Sequence, residues 1–418
     1  MKDGFTVRRV KNEKDLAAVI KIVKMVFPED SGLFNAYMNC YTDGDFSNSL
    51  MGIVNGRLVA HAVVIPRRFM IDGVPVEMGQ VGYIATHPKY RKQGYMKDLM
   101  PAIDALIAQK GLHLAYLFGI PYFYRKYGYE YALPDDSFKV APHLELDKLR
   151  PGPSVSPDEF IIRRLEPDDT DRALAIYGKD ASHRTMWHPR SRKVWSFQSE
   201  SLQLFSEGWE AEELVFEKDG KVKGYMRYDV LDDALKVREV NFDEEDQKVG
   251  LSFALEHIIN EAFARNLPRV QAAIPLDHPF MNFFVTRGGI SVDYTYGGMM
   301  KVINLMELMK KLKNLINQRM AGTELERFVG TMTINIYEEH VNIRIINGKI
   351  RTMDNKPREP EVMKDIRMSP QQFVQLLTGY KGVDDLLGIP DFRIAPRWTG
   401  PMRALFPKGN PYIYMHDR

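Results

Sequence analysis

Residues Arg91–Met96 read RKQGYM, and they lie between a strand-like run, VGYIATHP at 81–88, and a helix that starts near Gly94. At a helix N-terminus, backbone N–H groups without carbonyl partners and the positive end of the helix dipole favour a bound anion. Gly94 lets the backbone come close and can adopt positive φ, while Arg91, Lys92 and Lys97 carry charge suited to phosphate oxygens. The stretch predicts a pyrophosphate site, and with it coenzyme A, although a basic turn with one glycine is also typical of a solvated connection.

The surrounding runs predict a β-meander that ends at this loop. LMGIV at 50–54, RLVAHAVVI at 57–65 and VPVEMGQVGYIAT at 74–86 are rich in strand-forming residues. Asn55-Gly56 and Asp72-Gly73 separate them, and such dipeptides are favoured in two-residue hairpin turns. The helix after the loop has an apolar face at Leu99, Met100, Ile103, Leu106 and Ile107.

Further elements flank the meander. A strand at Phe5–Arg9 and a helix capped by Asn12 precede it. The strand-like run LHLAYLF at 112–118 and the segment PYFYRKYGYEYA at 121–132 follow the loop helix.

Two motifs make this region similar to the GNAT family of acetyl-CoA-dependent N-acetyltransferases. Arg91–Met96 matches the family pattern Arg/Gln-x-x-Gly-x-Gly/Ala, and YRKYGY at 124–129 matches Tyr-x-Lys/Arg-x-Gly-Phe/Tyr. Met96 stands where a small residue is usual, which resembles the Eis-like branch, the enhanced intracellular survival proteins. The resemblance implies an α/β fold with mixed sheets.

The length of the chain, 418 residues, suits two or three domains. RPGPSVSPD at 150–158 is typical of a linker. Beyond it, the run from 213 to 242 gives another meander with a turn at Asp219-Gly220, and a helix follows at about 247–265. We therefore expect two tandem GNAT domains, at 1–150 and 151–302, as in an internal duplication.

The second copy differs from the first at the positions that carry chemistry. DEED at 243–246 stands in the place of RKQGYM, and four carboxylates would repel a pyrophosphate. Phe284, four residues before Gly288, stands in the place of Tyr124 and lacks its hydroxyl. We expect one cofactor site per chain, in the first copy, and a degenerate second GNAT domain.

The region 303–418 predicts a helix at 305–320 and two strands joined by a hairpin turn at Asn347-Gly348. It then predicts a helix with Ser369 as its cap, Gln372 completing a capping box and Gly379 at its end. This arrangement resembles the sterol-carrier-protein-like (SCP2-like) domain that closes Eis-like chains.

Composition excludes more than it assigns. A net charge of +2, with no charge block, disfavours nucleic-acid and membrane-surface partners. No run has the length of a signal peptide or a membrane span, so a cytoplasmic protein is expected. The single cysteine, Cys40, could be a nucleophile, but a small buried hydrophobe is the commoner role. The histidines have no HxxxH or HxH spacing, and no metal site is predicted.

Attack of an amine on a thioester requires stabilisation of the developing oxyanion and protonation of the leaving thiolate. GNAT enzymes use a tyrosine as the general acid, and the resemblance assigns that role to Tyr124. The alternative is an aromatic side chain that fills a hydrophobic patch, since several tyrosines and phenylalanines crowd the same stretch. The spacing to Gly128 distinguishes Tyr124 from them.

The resemblance also implies which residues bind acetyl-CoA. They are the loop residues Arg91, Lys92, Gln93, Gly94, Tyr95 and Met96, the strand residues Tyr83, Ile84, Ala85 and Thr86, and Gly119 and Ile120 after the next strand. Ordinary strand core is the alternative for the strand residues.

Eis-like enzymes use the C-terminal carboxylate as the general base, and here that group belongs to Arg418. The chain ends YIYMHDR, whereas an aromatic last residue is typical of the family. Arg418 is thus a candidate base, and a loose chain end is the alternative.

Two functions follow from these patterns. The first is an acetyl-CoA-dependent N-acetyltransferase that acts by direct attack of an amine in a ternary complex. The resemblance implies aminoglycosides, polyamines or lysine side chains as its acceptors. The resemblance also implies a homo-oligomer, a hexamer built from trimers. The alternative is a non-catalytic acyl-CoA or lipid-binding protein that acts through its C-terminal domain. Intact Arg91, Gly94 and Tyr124 favour the enzyme.

Overall fold

The computed structural model describes residues 4–28, 31–134, 142–149, 160–201, 210–290 and 297–417. The chain divides into two compact units. The first comprises Met1–Leu133, Thr185–Trp187 and Tyr296–Pro411, and the second comprises Pro134–Arg184, His188–Thr295 and Tyr412–Arg418. The predicted linker at 150–158 lies outside the described residues.

The strands of the described residues are β1 Phe5–Arg9, β2 Ser49–Val54, β3 Arg57–Ile71, β4 Val74–Thr86, β5 Leu114–Leu117, β6 Glu130–Tyr131, β7 His143–Glu145, β8 Ile161–Arg164, β9 Met186–Trp187, β10 Glu210–Lys218, β11 Lys221–Val230, β12 Ala234–Phe242, β13 Arg269–Ala272, β14 Met299–Val302, β15 Val329–Asn335, β16 His340–Ile346, β17 Lys349–Asp354, β18 Ile366–Arg367 and β19 Arg393–Ile394.

The α-helices of the same residues are α1 Glu13–Val26, α2 Ser31–Thr42, α3 Tyr95–Gln109, α4 Thr170–Ala181, α5 Arg192–Glu200, α6 Gln247–Ala264, α7 Pro279–Thr286, α8 Leu305–Lys311, α9 Lys313–Met320, α10 Pro360–Asp365, α11 Pro370–Thr378, α12 Val383–Leu386 and α13 Pro396–Leu405.

The first unit contains an eight-stranded mixed sheet in the order β1-β2-β3-β4-β5-β14-β6, with β9 paired to β3. β4 and β5 are parallel, and the other pairs are antiparallel. Helix α3 buries the predicted apolar face in the core of this unit, with Leu99, Ile103 and Ile107 fully buried. The predicted mixed α/β fold is confirmed.

All four predicted hairpin turns are present. Each places an Asn or Asp with positive φ before a Gly with positive φ, as a type I′ turn requires. The φ values of the first residues lie between 42° and 53° and those of the glycines between 68° and 79°, at Asn55-Gly56, Asp72-Gly73, Asp219-Gly220 and Asn347-Gly348.

The second unit contains a six-stranded sheet in the order β7-β13-β12-β11-β10-β8. Its chain order repeats that of the first unit: a strand, two helices, a three-stranded meander, a helix and a parallel strand. Each sheet also contains one strand from the other predicted domain. β14, which follows the second set of elements in the chain, pairs with β5 of the first sheet, and β7, which follows the first set, pairs with β13 of the second sheet. Sheet membership therefore does not follow the predicted borders at 150 and 302, and the division into three domains remains a prediction.

The region 303–418 adds a five-stranded sheet, β17-β16-β15-β18-β19, to the first unit. The helix predicted at 305–320 is two helices, α8 and α9, which meet at Leu312. The capping box of Ser369 and Gln372 forms as predicted, and Gly379 ends α11 with a φ of 77°. Helix α11 is bonded to the edge strand of the first sheet, since Gln375 Nε2 donates to Tyr131 O at 3.0 Å.

A buried ion-pair network lies in the core of the second unit. Arg190 donates to Glu239 and to Asp417, with Nη2···O distances of 2.8 Å for both, and all three side chains have no exposed surface. His188 Nδ1 lies 3.1 Å from Asp417 Oδ1, and Gln198 Nε2 donates to the same oxygen at 2.9 Å. Burial by itself would raise the pKa of Asp417, but the charges and hydrogen bonds of Arg190 and His188 together outweigh it and hold the pKa well below its ordinary value.

We expect Asp417→Asn to destabilise the second unit by about 3–5 kcal/mol, because it leaves a buried guanidinium without one of its carboxylates. A lowered pKa means that the stabilisation is present above the unfolded-state pKa of about 4 and is lost as the pH falls below it. Thermal denaturation near neutral pH measures the loss, and Asp384→Asn, whose exposed carboxylate pairs with Arg403, is the control. Equal melting temperatures for the two variants would contradict the assignment.

Candidate functional site

The loop between β4 and α3 has the backbone of an anion site. Gly94 is the N-cap of α3, with a φ of 86°, and a Cβ there would meet open space. Lys92 also has positive φ, at 60°, and Arg91 Nε donates to Thr86 O at 3.3 Å, which ties the loop to the strand end. The side chains of 91–94 are exposed, so the cationic groups and the first amides of the helix face the same open space.

Strands β4 and β5 are paired only over a short length. Their parallel pairs are Met78 with Leu114, Gly79 with Ala115 and Gln80 with Tyr116. β4 continues to Thr86, so its last residues have no paired neighbour on the β5 side among the described strands. On this side of β4, the backbone N–H and C=O groups after Gln80 therefore have no neighbouring strand within the described ranges to bond with, unlike those of the paired part of the sheet.

A β-bulge at Tyr83 and Ile84 turns the end of β4. Tyr83 has a φ of 47°, and its carbonyl oxygen lies 3.0 Å from the Nδ1 of His61, a fully buried side chain. Burial lowers the pKa of His61 to about 4, so the ring is neutral near pH 7 and Nδ1–H donates to the Tyr83 carbonyl. Sequence reasoning did not single out His61, because its role depends on the strand opposite.

A cavity of about 650 Å³ joins the loop, the strand end and the segment around Tyr124. Its lining includes every predicted cofactor residue except Tyr83, Ala85 and Gly119. Ala85 is instead buried in the core. The cavity also has lining residues that were not predicted from the sequence: Val26, Phe27, Tyr90, Phe123, Lys126 and Tyr127.

Tyr124 lies in a 3₁₀ turn, Phe123–Tyr127, and lines the same cavity. The turn is bounded by residues with positive φ on both sides, Tyr122 at 62° and Gly128 at 88°. Burial of the Tyr124 phenol, which is 6% exposed, raises its pKa to about 12. The hydroxyl is therefore protonated near pH 7 and is a hydrogen-bond donor at the cavity wall.

Gly119 has a different relation to the site from the predicted one. A Cβ at Gly119 would lie 2.7 Å from Cε2 of Tyr124, which is closer than real Cβ atoms approach. The glycine therefore makes room for the ring that carries the hydroxyl.

In the corresponding loop of the second unit, three of the four carboxylates at 243–246 form ion pairs with cations of the same unit. Asp243 pairs with Arg172, Glu244 with Lys179 at 2.9 Å, and Asp246 with Lys218 at 3.2 Å. Phe284 is fully buried, and Gly288 has a φ of 100°. These carboxylates thus pair with lysine and arginine side chains of the same unit, whereas the loop of the first unit has exposed cations at this place.

The other residues predicted from the sequence are Arg418 and Cys40. Arg418 lies outside the described residues, and its neighbour Asp417 is held in the network of the second unit. Cys40 is buried in α2. Within the described ranges, no group of three or more His, Cys, Asp or Glu side chains could hold a metal ion. No helix in the same part of the chain is long and apolar enough to cross a membrane.

Residues 6–132 match the family model described as an acetyltransferase (GNAT) domain. This stretch contains the loop, the bulged strand and Tyr124, so the candidate site lies within the residues that match this family model. No curated protein sequence matches the chain.

Three solved structures share the fold over almost the whole chain. A protein of Enterococcus faecalis V583 described as a probable N-acyltransferase has a TM-score of 0.74 at 16% identity, and a GCN5-related N-acetyltransferase of Anabaena variabilis has 0.71 at 12%. Eis1 of Mycobacterium abscessus has 0.66 at 13%. Each alignment covers 98% of this chain and 99% of the other. At these identities the likeness establishes the fold alone.

We expect Gly119→Ala to destabilise the first unit by about 1–3 kcal/mol, because the added methyl group overpacks against the Tyr124 ring. Gly178→Ala is the matched control, because a Cβ there has no atom within 4 Å and alanine is more favourable than glycine inside helix α4. Thermal denaturation of both variants checks the prediction. A Gly119→Ala protein as stable as the wild type would show that the ring moves freely.

Proposed function

We propose that the chain is an acyl-CoA-dependent N-acyltransferase that transfers acetyl from acetyl-CoA to a primary amine. The observation that carries the proposal is the cavity in which a left-handed glycine loop at a helix N-terminus, an opened strand end and a protonated tyrosine meet. An anion site alone is common, but these three features together match the requirements of thioester aminolysis.

The described residues fit coenzyme A. The space beside Gly94 is open, and the exposed Arg91, Lys92 and Lys97 offer charge-assisted hydrogen bonds to a pyrophosphate. Main-chain groups of Ile84 and Thr86 at the open side of β4 would bind the amide-bearing arm. Acetyl-CoA would supply an acyl group on a thioester, a bond that an amine breaks with release of a thiol.

Tyr124 would act as the general acid. Its phenol holds a proton across the physiological range, so it can donate to the sulfur as negative charge develops there. The surrounding burial that raises its pKa also strengthens this hydrogen bond by excluding water. The Arg418 carboxylate remains the candidate base that accepts the proton of the attacking amine.

One active site per chain is part of the proposal. The acidic loop and Phe284 of the second unit lack both the phosphate-binding charge and the phenol. The repeated chain order supports two tandem GNAT domains, and a sterol-carrier-protein-like C-terminal domain and a hexameric assembly complete the Eis-like organisation that we propose.

Acetyl-CoA-dependent thiol release with a panel of aminoglycosides, polyamines and lysine peptides tests the function. We expect at least one amine to stimulate release. Tight lipid binding without any amine-stimulated release would instead support the non-catalytic alternative.

We expect Tyr124→Phe to lower kcat about 100-fold with little change in KM for acetyl-CoA, because only the hydroxyl is lost. The phenol stays protonated below its raised pKa. Deprotonation of Tyr124 should therefore not lower kcat at any pH up to about 10. A pH profile of both proteins checks this. An alkaline decline near pH 10 that vanishes in Tyr124→Phe would exclude the raised pKa.

An extension of Gly-Ser after Arg418 tests the candidate base, because it moves the terminal carboxylate and leaves Asp417 in its ion pairs. We expect kcat to fall by about tenfold or more. Arg418→Ala is the control, since it keeps a terminal carboxylate in place. Equal turnover in the extended and wild-type proteins would remove Arg418 from the mechanism.

A further inference from the structure

The turn that carries Tyr124 begins at a strained residue that a neighbouring strand holds in place. Tyr122 has a φ of 62° and is 56% exposed, so its own packing does not explain its conformation. Its backbone N–H donates to the hydroxyl of Tyr131, on β6, at 2.8 Å, and the two rings meet edge to face. A non-glycine residue in this region is strained and persists only where its surroundings impose it.

The end of the turn is held by a second strand. Lys301 of β14 donates from Nζ to Tyr127 O at 2.8 Å and to Asp104 of α3 at 2.6 Å. The lysine stem lies against Gly128, where a Cβ would come within 3.2 Å of its Cε. Gly128 thus serves both the left-handed backbone and the approach of the lysine.

Both contacts come from the end of the sheet formed by β14 and β6. Lys301 lies far along the chain from the turn, on the strand that pairs with β5 and β6. Helix α11 supports the same edge through the bond of Gln375 to Tyr131. The turn is therefore hydrogen-bonded to β6 at its start and to β14 at its end, and Tyr124, which lies between these two contacts, lines the cavity.

We propose that Tyr131 and Lys301 are positioning residues that set the place of the Tyr124 hydroxyl. This inference rests on the proposed function, in which Tyr124 donates to the leaving sulfur. If either contact is lost, the left-handed Tyr122 or the Tyr127 carbonyl relaxes and the phenol shifts. A displacement of about 1 Å in such a group costs up to about 100-fold in rate.

The test uses Tyr131→Phe and Lys301→Met in the full chain. We expect each to lower kcat about tenfold or more while KM for acetyl-CoA stays within about twofold, because the binding loop is untouched. Tyr129→Phe is the matched control, since the Tyr129 hydroxyl is buried and has no hydrogen-bond partner among the described residues. Lys301→Arg should keep most of kcat, because it retains a cation for Asp104 and N–H donors for the Tyr127 carbonyl.

A double-mutant cycle with Tyr124→Phe separates positioning from general damage. In the Tyr124→Phe background, we expect Tyr131→Phe and Lys301→Met to cause no further loss of kcat, because the group that they position is gone. Additive losses, or wild-type kcat in Tyr131→Phe, would overturn the inference and leave the proposed function standing. Should Lys301→Met fail to fold, the Tyr131→Phe cycle decides alone.

The outcomes also separate this inference from the proposed function. No amine-stimulated thiol release by the wild-type protein would overturn the proposed function and this inference together. Wild-type kcat in Tyr124→Phe would overturn the acid assignment, and the positioning role would fall with it.

Discussion

The short pairing between β4 and β5 is the constraint on which the site depends. Three parallel residue pairs hold the two strands together, and beyond Gln80 no further pair joins them among the described strands. The bulge at Tyr83, held by the neutral His61, turns the end of β4 at the same place. Because a sheet normally satisfies its own main-chain groups, this gap offers backbone donors and acceptors to a ligand without exposing a long sheet edge.

The two units use the same chain order with opposite electrostatics. In the first, cations at the start of α3 are exposed and lie along an open cavity. In the second, the loop before α6 is acidic, and Asp243, Glu244 and Asp246 pair with Arg172, Lys179 and Lys218. The same order of elements therefore carries exposed cations in one unit and ion-paired carboxylates in the other.

The exchanged strands explain why a site within residues 6–132 depends on residues far beyond them. β14 lies between β5 and β6 and pairs with both, and its residue Lys301 contacts the end of the Tyr124 turn. β7 has the equivalent place beside β13. The contacts that hold the Tyr124 turn thus come from stretches of chain that the sequence pattern assigned to different domains.

The sequence by itself determined the local elements, because their signals act over a few residues. The Asn-Gly and Asp-Gly turns, the Ser369 capping box, the left-handed Gly94 and the apolar face of α3 all formed as predicted. Only the tertiary structure decided the strand exchange and the contacts of His61 with Tyr83 and of Lys301 with Tyr127. Each of these depends on which distant residue stands opposite, and no short-range periodicity or turn preference records that pairing.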